Sequence, residues 1–164
     1  MWQRIMVPID GSDASRLGLE RAIETARLTG ARIRVLHVLD ELVFATGFEP
    51  GVTYERDVLP RMRRAGEQLL DEACAQAVAA GINVDSVQME CFARRTADVI
   101  LDAAQSWHAD LIVIGTHGRR GPSRWFLGSD AEEVLRGATI PVLLVRNGDR
   151  SDARSRAAKV AETA

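Results

Sequence analysis

Residues 115 to 130, GTHGRRGPSRWFLGSD, place four glycines, three arginines, a histidine and a Ser-Asp pair between two apolar segments. Glycine lets the backbone approach a ligand closely or take a positive φ. Gly128-Ser129 opens a helical pattern, and the free N–H groups and dipole at such a start favour an anion. The Ser129 hydroxyl can donate to the same anion, and Arg119, Arg120 and Arg124 add positive charge along the loop. A triphosphate fits that description. A structural reading fits too: Ser129 and Glu132 form an S-x-x-E capping box, and Gly121-Pro122 is ordinary turn punctuation. Spacing alone leaves both open.

The other chemistry-bearing residues are sparse. His117 sits inside the glycine loop, either as a general acid or as a turn residue with its ring in solvent. His37 falls on an apolar run and is expected to be packed or hydrogen-bonded there. His108 follows Trp107 at a helix end, where it caps carbonyls. Cys74 and Cys91 form neither a disulfide framework nor a metal-spaced pair. The single lysine is Lys159, so no P-loop lysine exists, and no catalytic constellation is evident. A second turn cluster, Asp10-Gly11-Ser12-Asp13, ends the first apolar run.

The elements that must position these residues alternate. Apolar runs at 5–9, 32–38, 84–89, 110–115 and 141–145 read as strands. Between them, Leu19, Ala22, Ile23 and Ala26 mark a helix closed by Gly30. Leu59, Met62, Gly66, Leu69, Leu70, Ala73 and Ala77 mark a longer one stopped by Gly81. Ala97, Ile100, Leu101 and Ala104 give a third, and Ala131, Val134, Leu135 and Ala138 a fourth. Residues 40–57 read as a long loop, and Arg61, Arg63 and Arg64 as a solvated helix face. The order is β-α-β-α-β-α-β-α-β, an α/β fold with one open, mostly parallel sheet and helices on both faces. Ligands in such sheets bind outside the carboxyl ends of the strands, where strand order reverses. The strand ends at Asp10 and Gly115 flank one crevice if those strands are neighbours.

Totals bound the function. The 164 residues make one ordinary domain, 46% apolar and 27% charged. A formal net charge of -2 gives no global field for nucleic acid or an anionic membrane. The N-terminal apolar run is too short for a signal peptide and no stretch reaches a membrane span, so a cytoplasmic protein is expected.

Gly115, Gly118, Gly128 and Ser129 satisfy G-x2-G-x9-G-(S/T) at every spacing. With Pro8-x-Asp10 after the first strand, His37-Val38 ending the second and PVLLV closing the last, the chain resembles the universal stress protein family, nucleotide-binding type. The likeness runs from residue 1 to about 147, leaving 148–164 as a C-terminal tail. It implies a Rossmann-like five-stranded sheet in order 3-2-1-4-5 and a dimer through the last strand, residues Pro141 to Arg146. Asp10 and Val38 match positions around adenine, and Pro8 shapes that pocket. Ile114, Gly115, Gly118, Gly128 and Ser129 match positions around ribose and phosphates. The implied ligand is ATP with Mg²⁺, and the implied role a nucleotide-dependent regulator of stress response. Alternatives are a slow ATP hydrolase and an interaction module that binds no nucleotide. Two departures from the family pattern stand out: Asp130 and Ala131 replace the usual valine and the serine or threonine after Gly-Ser.

Overall fold

The computed structural model describes residues 1–40, 54–91, 94–116 and 127–146. Five strands carry the fold: β1 (Arg4–Pro8), β2 (Arg32–Asp40), β3 (Val84–Cys91), β4 (Leu111–Gly115) and β5 (Val142–Val145). They alternate with α1 (Asp13–Thr29), α2 (Leu59–Ala79), α3 (Thr96–Ser106) and α4 (Ser129–Gly137). All pairings are parallel, in the order β3-β2-β1-β4-β5. The expected architecture and strand order are those observed.

Strand alternation sends each central strand into two cores. Ile5, Val7, Ile33, Val35 and Val113 face α1 and α2, where Leu19, Ile23, Leu70 and Ala77 meet them. Met6, Leu36, Ile112 and Ile114 face the other way, against Ile100, Ala104 and Val134 of α3 and α4. Ile5, Met6, Val7, Ile112 and Val113 are wholly buried, which is why β1 and β4 read as continuous apolar runs. Fully burying one such side chain contributes about 1.5–3 kcal/mol. The edge strands β3 and β5 are mostly half-buried.

The face covered by α3 ends in a polar stack. Arg32 and Arg34 of β2 both place guanidinium carbons over the Trp107 ring, 5.3 and 4.8 Å from its centroid. Both also reach Asp85 of β3, at 2.8 and 2.6 Å. The Arg34 hydrogen bond, more than Arg32, holds the Asp85 carboxyl below its ordinary range. Below Trp107, Asp110 accepts from the backbone N–H groups of Gln3 and Arg4, at 2.7 and 3.0 Å. These contacts tie the lower ends of β1, β2 and β4 together.

Beyond one-residue shifts at the ends of β1, β4 and β5, boundaries differ from the sequence reading in two regions. Strand β2 runs to Asp40 and β3 to Cys91, because their ladder continues in register from Ile33↔Val84 to Asp40↔Cys91. Within the expected loop, residues Tyr54–Val58 form a π-helical turn leading into α2. The rest of that loop, 41–53, and the tail lie outside the described residues.

Helix α3 ends on an unusual residue. His108 has φ 53°, and its N–H donates to the Gln105 carbonyl at 3.0 Å while Ala109 N–H donates to Ala104 at 2.8 Å. The backbone therefore satisfies the last carbonyls, with a β-branchless but non-glycine residue in the left-handed region, at a cost of about 1–2 kcal/mol. Replacing His108→Gly removes that strain and is expected to raise stability by about 0.5–1 kcal/mol in urea denaturation. A loss of stability would show that the imidazole makes a compensating contact.

Candidate functional site

Parallel strands bring all their carboxyl ends to one rim. There the order reverses beside β1: the chain passes from β1 to β2 on one side and reaches β4 on the other. The rim opens into a cavity of about 800 Å³. That size lies within the range of small-molecule sites. Pro8, Asp10, Val38, Ile114, Gly115, Gly128 and Ser129 all line it. Gly118 of the glycine signature lies outside the described residues, as do His117, Arg119, Arg120 and Arg124.

The Asp10 wall is ordered by its own turn. Ser12 donates to Asp10 Oδ1 through both its N–H, at 3.0 Å, and its hydroxyl, at 2.6 Å. Ser12 Oγ in turn caps α1 by accepting from Ser15 N–H at 3.2 Å. The carboxylate is thereby fixed at the mouth of the crevice before any ligand arrives. Beneath it, Ile9 N–H donates to Leu36 O at 2.8 Å, carrying the β1–β2 ladder to the cavity floor. His37 is buried, its Nδ1 2.8 Å from the Ile9 carbonyl; since a carbonyl only accepts, Nδ1 carries the proton. This histidine braces the floor, as expected of a packed strand residue.

The glycine wall departs from the simplest sequence reading. Positive φ among the described glycines occurs at Gly11, Gly30 and Gly81, not at Gly115 or Gly128. Gly115 is required by packing instead: a Cβ there would stand 2.6 Å from the Ala14 carbonyl carbon and 2.7 Å from its oxygen. Helix α1 thus sits directly on the end of β4, and the two lips of the crevice are locked together. Thr116 extends the wall. Its N–H donates to Val145 O at 2.9 Å, and its carbonyl accepts from Gly128 N–H at 2.7 Å. That bond draws the two ends of the glycine loop together.

The capping box does not form. Gly128, with extended φ −61° and ψ 145°, is the N-cap of α4, so Ser129 is the first helical residue and no side chain caps this end. Glu132 is engaged by Arg136 one turn later, at 2.8 Å. The N-terminus of α4 therefore faces the cavity through backbone N–H groups and the Ser129 side chain. Asp130 also lines the cavity, and Ala131 is buried beneath it. Close by, Cys91 donates its thiol to the Arg94 carbonyl at 2.6 Å. Burial pushes its ionisation up, with Asp40 and Asp130 adding to the effect, which disfavours the thiolate. Among the described residues, no cluster of metal-ligating side chains is present.

The sequence reading missed the third wall. Arg61, Met62, Ala65 and Gly66 of α2 line the cavity, as do Thr96 and Ile100 of α3. One signal was available: Gly66 interrupts a helix interior, where glycine is disfavoured unless something approaches closely. A Cβ at Gly66 would fall 2.2 Å from Gln88 Oε1 and 2.6 Å from His37 Cδ2. Arg61, read as part of a solvated face, belongs to the cavity; Arg63 pairs with Glu90 at 2.6 Å.

Comparison with known proteins accords with this geometry. The model of the universal stress protein family matches residues 1–146. The chain belongs to that family. A universal stress protein of Thermus aquaticus is 35% identical over 147 residues, covering 89% of this chain and all of the relative. Among solved structures, a universal stress family protein from Burkholderia pseudomallei is 29% identical with a TM-score of 0.71, covering 88% of this chain and 96% of the other. A universal stress protein from Archaeoglobus fulgidus, solved in complex with dAMP, is 27% identical with a TM-score of 0.64 and covers 88% and 98%.

The Gly115–Ala14 contact gives a direct test. Gly115→Ala forces α1 off β4 and is expected to cost about 1–3 kcal/mol in urea denaturation. Stability within 0.5 kcal/mol of the parent, an effect no larger than about that of a neutral surface change, would show that the helix is not held there.

Proposed function

We propose that this universal stress protein binds an adenine nucleotide, ATP with Mg²⁺, along the cavity at the β1–β4 reversal, and acts as a nucleotide-dependent regulator in the cytoplasm. The observation that carries the reading is the convergence of Asp10, Val38, Gly115, Gly128 and Ser129, far apart in sequence, on one cavity of nucleotide size. In this reading Asp10 and Val38 hold the base, with Pro8 shaping its slot. Ile114 and Gly115 lie along the ribose, and Gly118, Gly128 and Ser129 receive the phosphates. The uncapped N-terminus of α4 suits that last role, since its N–H groups and dipole favour an anion. Support from relatives is the dAMP held by the Archaeoglobus fulgidus protein. Bound Mg²⁺ would neutralise phosphate charge, and in this reading Asp130, which lines the cavity from the first turn of α4, would face it.

Two further parts of the reading concern assembly and surroundings. No described helix is long and apolar enough to cross a membrane. Strand β5 is a four-residue edge with Leu143 40% exposed. An exposed apolar edge of this kind pairs readily with another chain, and we assign it the homodimer contact, residues Pro141 to Arg146.

Calorimetric titration with Mg-ATP is expected to show saturable binding that Gly128→Val weakens at least tenfold, a loss of about 1.4 kcal/mol. Absence of heat at millimolar nucleotide would contradict the reading. For the assembly, light scattering at tens of micromolar is expected to give a dimer mass, and Leu143→Lys a monomer. A monomeric parent protein would remove the β5 contact from the account.

A further inference from the structure

We propose that Arg61 determines specificity at the nucleobase end of the cavity, laying its guanidinium against the purine rather than reading the phosphates. The inference rests on the nucleotide reading above and adds a residue to it.

Topology supplies the placement. Helix α2 lies against β2 and β3, and the missing Cβ of Gly66 lets it press on His37 and Gln88. The turn before Gly66 carries Arg61 and Met62, and both line the cavity. Ser129 lines the same cavity from the far side, after β4. Strands β2 and β4 flank β1, so the strand ends on the two sides of the cavity lie two strand spacings, about 9.5 Å, apart. A nucleotide lying across the rim with phosphates at Ser129 therefore brings its base to the β2 end, where Val38 lines the cavity from the α3 side of the sheet and Arg61 from α2.

The local chemistry agrees. Around Arg61 the wall is Val58, Met62 and Ala65, an apolar surface suited to a flat ring and poor for a phosphate. A guanidinium is planar, offers only donors and stacks on aromatic faces; purine ring nitrogens offer acceptors at its edge. Arg63, two residues on and so on the opposite side of the helix, is tied to Glu90 of β3.

Adenosine and Mg-ATP share the base but differ in charge, so their affinities separate the roles. Arg61→Ala in the full chain is expected to weaken both by the same factor, about three- to tenfold, with no dependence on salt for adenosine. Arg64→Ala, one turn on in the same helix and outside the cavity lining, is expected to change neither. Arg61→Lys keeps the charge without the plane and is expected to lose affinity for both ligands. Alanine favours helix, so unchanged circular dichroism is expected for Arg61→Ala. Weakened ATP with unchanged adenosine would make Arg61 a phosphate ligand and overturn the proposal. Unchanged affinity for both would overturn it too, while leaving the nucleotide reading intact. Failure of the parent protein to bind either ligand would instead overturn the nucleotide reading, and Arg61's role with it.

Discussion

The seating of α1 on the end of β4 governs the cavity. No side chain is admissible at Gly115, because the Ala14 backbone occupies the space. The β1–β4 ladder itself is short, with Ile5↔Leu111 and Met6↔Ile112 in register. The helix contact therefore supplements few interstrand pairs in holding these two strands side by side. Everything at the rim follows from that junction: the Asp10–Ser12 turn on one lip, Thr116 and the start of α4 on the other. Loosening it would widen the crevice and misalign both walls at once, since close-packed interiors transmit strain.

The opposite end of the strands is held by different physics. Two arginines of β2 lie over Trp107 and pair with Asp85 of β3, beside the part of the sheet that α3 covers. Partial exposure keeps each ion pair modest, but the planar stack also covers apolar sheet surface. The polar stack at the amino ends of the strands thus lies away from the cavity at their carboxyl ends.

Much of this was legible in the sequence. Strands β1 and β4 declared themselves because both faces are buried, and the glycine spacing pointed to one rim. What stayed hidden was anything depending on how elements lean together. The capping-box pattern at Ser129 and Glu132 is a sound local signal, yet the bond from Gly128 to Thr116 holds Gly128 extended and makes it the cap. At Gly115 the sequence suggests a backbone that approaches a ligand or takes a positive φ, when the close approach that requires glycine is that of Ala14, far earlier in the chain. Arg61 carries no local mark at all: only the crossing of α2 over β2 puts it in the cavity, and that crossing depends on Gly66.

These observations converge on one claim, that a nucleotide lies across the rim from α4 to α2. Amide chemical-shift mapping during titration with Mg-ATP tests it most directly. The expected result is perturbation at both ends together, Gly128 and Ser129 with Arg61 and Met62, and at Asp10 and Val38 between, while Arg32, Asp85 and Trp107 stay unmoved. Shifts confined to the Arg–Trp stack or to β5, or none at saturating nucleotide, would contradict the account.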